Sequence, residues 1–420
     1  MAAYLKKETR MKKIVCLVLV LMIVSGLLFA AGGGQAAAAR RISFHYWDEN
    51  QRPGMDAVLA AFTRRTGIQV ESTITPWAQY WTMMQIAVPS DATPDVFWLN
   101  GTNAADYLPG GLVHDITDLI RRDNINMANF PPALVQLYSY NGRNFGIPKD
   151  FDTIALFYNK AIFDARGVPY PTDNWTWTEL RRAAEQLTFG QVHGFVAPPH
   201  TQSFLHSWVL SNGGTLMSPD GMAARWNSPQ GVAAVREAFR FVQDGLSPTG
   251  ADLLELNLND RFNAGLAAMV TGGSWNVPLY YPALGANLGV ARYPIAPGGR
   301  TANIIHGLSI SISARSRNID DAWELLKEFA SREAGEAQAR VVIPAFQGAQ
   351  NAWMANYPTL NLQVFIDAAA IADPLPVPRR HAQVQNGIIL SNLDNIWLGG
   401  MDVAAALANL DREAEAASRQ

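Results

Sequence analysis

Between residues 42 and 100 the chain alternates two hydrophobic periods, and few folds accept that pattern. Ile42-Ser43-Phe44-His45-Tyr46-Trp47 alternates faces at the period of a strand. Residues 55–65 place Val58, Leu59 and Phe62 at helical spacing, and Gly67 follows as a residue suited to close the helix. Residues 68–74 are rich in β formers, and residues 77–88 predict a helix ended by Pro89. Asp95-Val96-Phe97-Trp98-Leu99 suits a buried parallel strand. Strand and helix in this order predict an α/β lobe on a mostly parallel sheet. Ligands of such sheets sit beyond the carboxyl ends of the strands. Those ends are Trp47-Asp48-Glu49 and Asn100-Gly101-Thr102.

Past Pro148 the pattern changes. Residues 150–158 read as a strand that leaves this lobe, and helix-rich sequence follows to about residue 290. Thr176 with Glu179 forms a capping-box pair. Ser228-Pro229 opens a helix with an apolar face of Val232, Val235, Phe239 and Val242. Strands are predicted over 288–293 and 306–313, and helices over 320–330 and 401–418.

The amino terminus reads as a targeting segment, residues 1–39. A basic stretch (Lys6, Lys7, Arg10, Lys12, Lys13) precedes an apolar run over 14–31 and an alanine tract with A-x-A cleavage sites. A retained membrane anchor is the alternative, since the run approaches the ~20 residues of a span. Cys16 is the only cysteine and lies in that run. After cleavage the chain has no disulfide, thiolate metal site or cysteine nucleophile, and its core alone must stabilise it. The leader carries five of the 33 Lys and Arg and one of the 36 Asp and Glu, leaving 28 against 35, a formal charge of −7. That balance, without basic runs, argues against nucleic acid.

No catalytic or cofactor motif stands out. The seven histidines form no H-E-x-x-H pair, and no metal-ligand spacing, phosphate loop or nucleophile elbow occurs. Neither a catalytic residue nor a metal or cofactor is therefore assigned. What remains are aromatic and polar residues at strand ends. A sugar needs an aromatic face for its C–H surface and carboxylates or amides for its hydroxyls. Trp47 fits such a contact or a core position, Asp48 and Glu49 a contact or a solvated turn, and Asn100 a contact or a plain turn residue.

The segment Phe145-Gly146-Ile147-Pro148-Lys149-Asp150-Phe151-Asp152-Thr153-Ile154-Ala155-Leu156-Phe157-Tyr158-Asn159-Lys160 resembles the interlobe crossover of family 1 extracellular solute-binding proteins, the maltose- and multiple-sugar-binding receptors of ABC importers. Thr93-Pro94-Asp95-Val96, Trp175-Thr176-Trp177-Thr178-Glu179-Leu180 and Gly272-Gly273-Ser274-Trp275 resemble further elements in the family's order. In Phe262-Asn263-Ala264-Gly265-Leu266-Ala267-Ala268-Met269, Leu266 replaces the family's usual Lys.

The resemblance implies a two-lobed α/β periplasmic-binding-protein fold with a cleft and three interlobe crossings, near 148–153, 289–295 and 328–332. The corresponding division is 40–150 first lobe, 151–294 second lobe, 295–330 first lobe again, and 331–420 C-terminal helices of the second lobe. It implies Trp275 as a sugar-stacking residue and Tyr158 as a cleft tyrosine, if the strand phase allows. Of Asp150 and Asp152, one binds hydroxyls and the other fixes the hinge. Trp47, Glu49 and Asn100 match cleft-facing strand ends, and Trp208 and His306 are further candidates. The expected protein is an exported, monomeric, non-enzymatic receptor. It takes a mono- or oligosaccharide by hinge closure and delivers it to a membrane permease. Rival readings keep the fold with glycerol phosphate, a polyol or a peptide-like solute, or invoke a glycoside hydrolase using Glu49 and Asp152, or a retained sensor ectodomain.

Overall fold

The computed structural model describes residues 40–419 except 88–91, 219 and 379. The predicted leader and the end of the helix predicted over 77–88 lie outside the described residues. Strands β1 (Arg41–Tyr46), β2 (Gln69–Ile74) and β3 (Val96–Asn100) are parallel, with β1 between the other two. Helix Arg52–Thr66 connects the first two. It buries Met55, Val58, Leu59 and Phe62, and ends where Gly67 adopts φ 74° and donates to the Thr63 carbonyl.

The chain then supplies β4 (Ile147–Asp152) to this sheet and β5 (Ile154–Asn159) to a second one, so a single residue, Thr153, separates the two. The second sheet sets β5 between β6 (Met269–Gly273) and β7 (Leu288–Ala291), all antiparallel. The long β8 (Asn303–Ile312) returns to the first sheet between β4 and β3, antiparallel to both. With the two-residue β9 (Ile343–Pro344) at the edge, the order is β9-β4-β8-β3-β1-β2. The sheet is mixed rather than mostly parallel, because the returning chain approaches from the second lobe.

The crossover is pinned by side chains. Asn303 Oδ1 accepts from the Ile154 N–H at 2.9 Å, and its Nδ2 donates to the Ile154 carbonyl at 2.7 Å. The amide thus replaces a strand's backbone between the two crossing strands, and both partners are buried. Thr153 Oγ1 donates to the Phe365 carbonyl at 2.8 Å.

The second lobe's helices follow their caps. Thr176 and Glu179 close a capping box on helix Trp177–Leu187. Helix Pro229–Gln243 buries Gly231, Ala234, Val235, Ala238 and Phe241. Only Val235 of the predicted face is fully buried. Small residues turn inward because Trp208 reaches the helix backbone, its indole donating to the Ala234 carbonyl at 2.9 Å.

The chain after residue 330 departs from the expected division. Helices Ile319–Phe329 and Arg332–Gln338 both pack on the first lobe, where Ala334, Ala339, Trp353 and Phe365 join its core. Residues 372–374 pair with the start of β8, and from Leu375 on the buried residues belong to the second lobe's core. The last crossing therefore lies some forty residues beyond 328–332. Chain returning from β7 likewise stays with the second lobe through Tyr293 and Ala296, so that crossing falls near Asn303.

Two histidines near the last crossing bear on stability. Burial, with His200 and His381 adding repulsion, lowers His206 to about 3, and burial lowers His381 to about 4. A base with a depressed folded pKa is neutral when folded and protonates on unfolding. Its stabilising contribution is complete above pH 6.5 and is lost as pH falls toward 3 to 4. Denaturant unfolding should show stability falling from pH 7 to pH 4, by at most about 1.4 kcal/mol per pH unit for each histidine. His206→Phe should flatten that slope, since Nδ1 is buried without a partner and an apolar ring orphans nothing there. An unchanged slope in the variant would contradict this assignment.

Candidate functional site

A cavity of about 470 Å³ opens where the two sheets meet. The first lobe contributes Trp47, Trp77 and Asn100, the crossing strands contribute Asp150, Asp152 and His306, and the second lobe contributes Gln202, Ser274 and Trp275. Six of the residues singled out in the sequence, Trp47, Asn100, Asp150, Asp152, Trp275 and His306, thus line one space.

Backbone geometry explains their convergence. Antiparallel register sets His306 of β8 opposite Asp152 of β4. His306 Nδ1 lies 3.3 Å from Asp152 Oδ2, and Gln202 Nε2 donates to Asp152 Oδ1 at 3.2 Å from the other lobe. His306 Nε2 is buried with no protein partner, which leaves it free for a ligand. Burial raises the Asp152 pKa, and His306 opposes that shift. Asn100 caps helix Gly101–Tyr107, accepting from the Asn103 N–H at 3.1 Å, so its amide is partly engaged in structure.

The two aspartates play different parts. Asp150 accepts from the Leu308 N–H at 2.9 Å and pairs with Lys149. The Lys149 ammonium is fully buried, donates to Gln51 Oε1 at 2.8 Å, and lies 4.2 Å from the Trp98 ring centroid. Its pKa is lowered by burial and held up by Asp150. Asp150 therefore neutralises a structural cation, while Asp152 presents its carboxylate between the lobes.

Trp275 is 40% exposed on a short turn after β6. Gly273 allows that position. A Cβ on Gly273 would fall 1.7 Å from Trp275 Cζ3, although its φ of −84° suits any residue. Gly273→Ala should therefore displace the indole and weaken ligand binding by roughly tenfold, about 1.4 kcal/mol, with the fold retained. Calorimetric titration checks this, and wild-type affinity in the variant would contradict it.

Three candidates do not line this cavity. Tyr158 faces the second core, against Phe163 at 5.5 Å and over Gly289, where a Cβ would clash with its ring. In β5 the residues pointing the other way are Ala155 and Phe157. Trp208 is fully buried, stacked on Trp177 with centroids 3.6 Å apart. Glu49 bonds Arg52 and lines a neighbouring cavity of about 690 Å³, which shares Trp275. Conversely, Trp77 and Gln202 line the central cavity without having been singled out. Trp77 follows the turn after β2 and packs edge-on to Trp47 at 5.1 Å, a position that a strand-end rule could have found. Gln202 has no such signal, since it sits on a π-type turn before helix His206–Ser211. Among the described residues no three His, Cys, Asp or Glu converge as metal ligands.

Two sheets exchanging strands around a cavity lined from both sides define a two-lobed solute receptor. A family model for bacterial extracellular solute-binding protein matches residues 47–336, and the chain belongs to that family. It is similar to the galactooligosaccharide-binding protein of Bacillus subtilis, 25% identical over 290 residues. That match covers 66% of each chain, just under two thirds of the relative's length. The diacetylchitobiose-binding protein of Streptomyces coelicolor is 23% identical over 336 residues, 77% of each chain. An ABC substrate-binding protein from Listeria monocytogenes, solved in complex with cycloalternan, shares the fold with a TM-score of 0.81 at 22% identity. That likeness covers 90% of this chain and 98% of the other.

Proposed function

We propose that this chain is the exported, monomeric receptor of an ABC importer, which captures a neutral carbohydrate between its lobes and delivers it to a membrane permease without chemical change. One observation carries the reading. Trp275 of the second lobe and Trp47 of the first line the same cavity as Asp152 and His306, the hydroxyl-binding chemistry at the hinge. Indole faces supply burial, and the carboxylate accepts from hydroxyls more strongly than a neutral oxygen would. Because both lobes touch the ligand, it binds the closed form better and shifts the hinge equilibrium toward closure. The chain's similarity to binding proteins for galactooligosaccharides and diacetylchitobiose supports a carbohydrate cargo.

A phosphate ligand finds less here. Lys149 is consumed by Asp150, and Arg340 lines the neighbouring cavity rather than the central one. A hydrolase reading needs Glu49 and Asp152 to flank one glycosidic bond, whereas they line different cavities. Export rests on the leader pattern and on the family; among the described residues no helix is long and apolar enough to cross a membrane. The reading is tested by a thermal-shift screen of neutral sugars, sugar acids, sugar phosphates and polyols. A closed-state ligand at 100 times its Kd adds about 2.7 kcal/mol. A neutral sugar should stabilise the protein and be recovered intact. Stabilisation only by phosphates or polyols, or release of cleaved product, would refute it.

A further inference from the structure

A carboxylate and an imidazole on the central cavity meet at the pivot between the lobes. Asp152 is the last residue of β4 before the crossing at Thr153, and His306 follows the crossing residue Asn303 on β8. Their side chains are 18% and 12% exposed, with His306 Nδ1 lying 3.3 Å from Asp152 Oδ2. An ionised carboxylate only accepts, so this contact assigns the proton of a neutral ring to Nδ1 and makes Nε2 an acceptor. Gln202 Nε2 donates to the other carboxylate oxygen at 3.2 Å from the second lobe. Both contacts are long, and neither saturates the oxygens. In this state the pair offers ligand hydroxyls acceptors only.

The surroundings make one added proton consequential. Among the described residues His306 is the one histidine on the central cavity, and no Lys or Arg lines it. Asp150 faces Asp152 from the same strand, but Lys149 neutralises it. Tyr138 donates to the Gly307 carbonyl and faces both aspartates, and burial keeps it un-ionised. Helix Gly101–Tyr107 abuts the ring at Gly101, and its one carboxylate, Asp106, is engaged by the Arg380 N–H at 3.2 Å. His381, past the last crossing, repels a cationic His306 and in turn faces His206.

Protonating the ring draws Asp152 into an ion pair that competes with ligand hydroxyls. It also turns Nε2 from acceptor to donor, and it leaves a cation to be enclosed as the cleft closes and water leaves. All three effects act against the ligand. Resting on the carbohydrate reading above, we propose that the His306–Asp152 pair makes capture proton-linked: the sugar binds the form with His306 neutral and Asp152 ionised, and acidification releases it. Where the free pair carries a proton, binding expels that proton to the buffer, one per sugar bound. The affinity is therefore complete at pH values where the ring is neutral and is lost as pH falls below them. One linked proton changes affinity by at most about tenfold per pH unit.

The test is calorimetric titration of the full chain with galactose, galactobiose, maltose and diacetylchitobiose at pH 7.5, then with the sugar that binds between pH 5.5 and 8. Affinity should be level at the alkaline end and fall about fivefold or more by pH 5.5, since an ordinary imidazole changes charge within this range. At pH 6.5 the heats in Mes and in ACES, which differ in ionisation enthalpy, should differ by the proton released. His306→Gln, whose amide still donates to Asp152 but does not titrate, should flatten the profile and abolish the buffer difference. His206→Phe should keep both, because that ring is buried against Trp226 and does not line the central cavity. In imidazole nitrogen NMR spectra, with the His306 signals assigned by their absence from His306→Gln, saturating sugar should lower the pH at which that ring titrates. A level wild-type profile without proton release, a slope retained in His306→Gln, or a ring whose titration ignores the sugar would overturn the switch and leave carbohydrate capture standing. No heat with any of the four sugars at pH 7.5 would overturn both readings together.

Discussion

Trp275→Ala should weaken carbohydrate binding by ten- to a hundredfold, about 1.4 to 2.7 kcal/mol, while leaving the unfolding midpoint close to wild type. The indole is 40% exposed, so it contributes little to the core, yet it lines the central cavity and both of its neighbours. Its loss removes the second lobe's aromatic face from the central cavity, and aromatic side chains dominate the energetics of such contacts. Trp208→Ala is the matched control. That indole is fully buried, stacked on Trp177 and bonded to Ala234, so its removal should cost about 3 to 5 kcal/mol of stability. Titration and denaturant unfolding on both variants separate the two roles. Wild-type affinity in Trp275→Ala would remove it from the site.

Asp150→Ala should be the more damaging change to the fold. It strands the Lys149 ammonium, which is fully buried beside Trp98, with only Gln51 as a neutral partner. Breaking a buried pair from one side costs about 3 to 5 kcal/mol. Replacing both residues, as Lys149→Met with Asp150→Leu, should recover much of that loss, because an apolar pair of similar volume carries no desolvation cost. Asp152→Ala, by contrast, should weaken binding more than stability, since burial already disfavours its carboxylate and His306 with Gln202 are its partners. Urea midpoints and binding constants for the three variants decide the matter. If Asp150→Ala kept its midpoint and lost only affinity, the assignment of the two aspartates would be reversed.

Much of this was legible in the residues before any coordinates. The alternating periods over 42–100 correspond to β1, the helix at Arg52–Thr66, β2 and β3, because apolar spacing and the glycine cap act locally. The crossing near 148–153 was legible too, but the single strand read over 150–158 is two strands split at Thr153, a break that the residue pattern does not mark. What the residues could not express was three-dimensional phase. Tyr158 and Phe157 are neighbours on β5, and only long-range packing, Tyr158 on Phe163 and Phe157 on Tyr280 and Phe365, sends them into two different cores. Trp208 and Trp275 are chemically alike, and the difference between stacking on Trp177 and facing solvent is set by long-range contacts. Helix Arg332–Gln338 turns inward only Ala334, Gly335 and Gln338, too weak a pattern to name a lobe. Its choice of the first lobe, against helix Arg52–Thr66, moved the last crossing past residue 374.

Hinge closure on a carbohydrate is the central claim, and a distance reports it most directly. The chain has one cysteine, Cys16, so a Cys16→Ser chain with Asp56→Cys and Ala286→Cys carries one label on each lobe at exposed positions. Pulsed electron resonance would give the interlabel distance with and without the sugar that stabilises the protein most. A bound population shifted to a shorter, narrower distance is the expected result. An identical distance distribution at saturating sugar would contradict capture by closure.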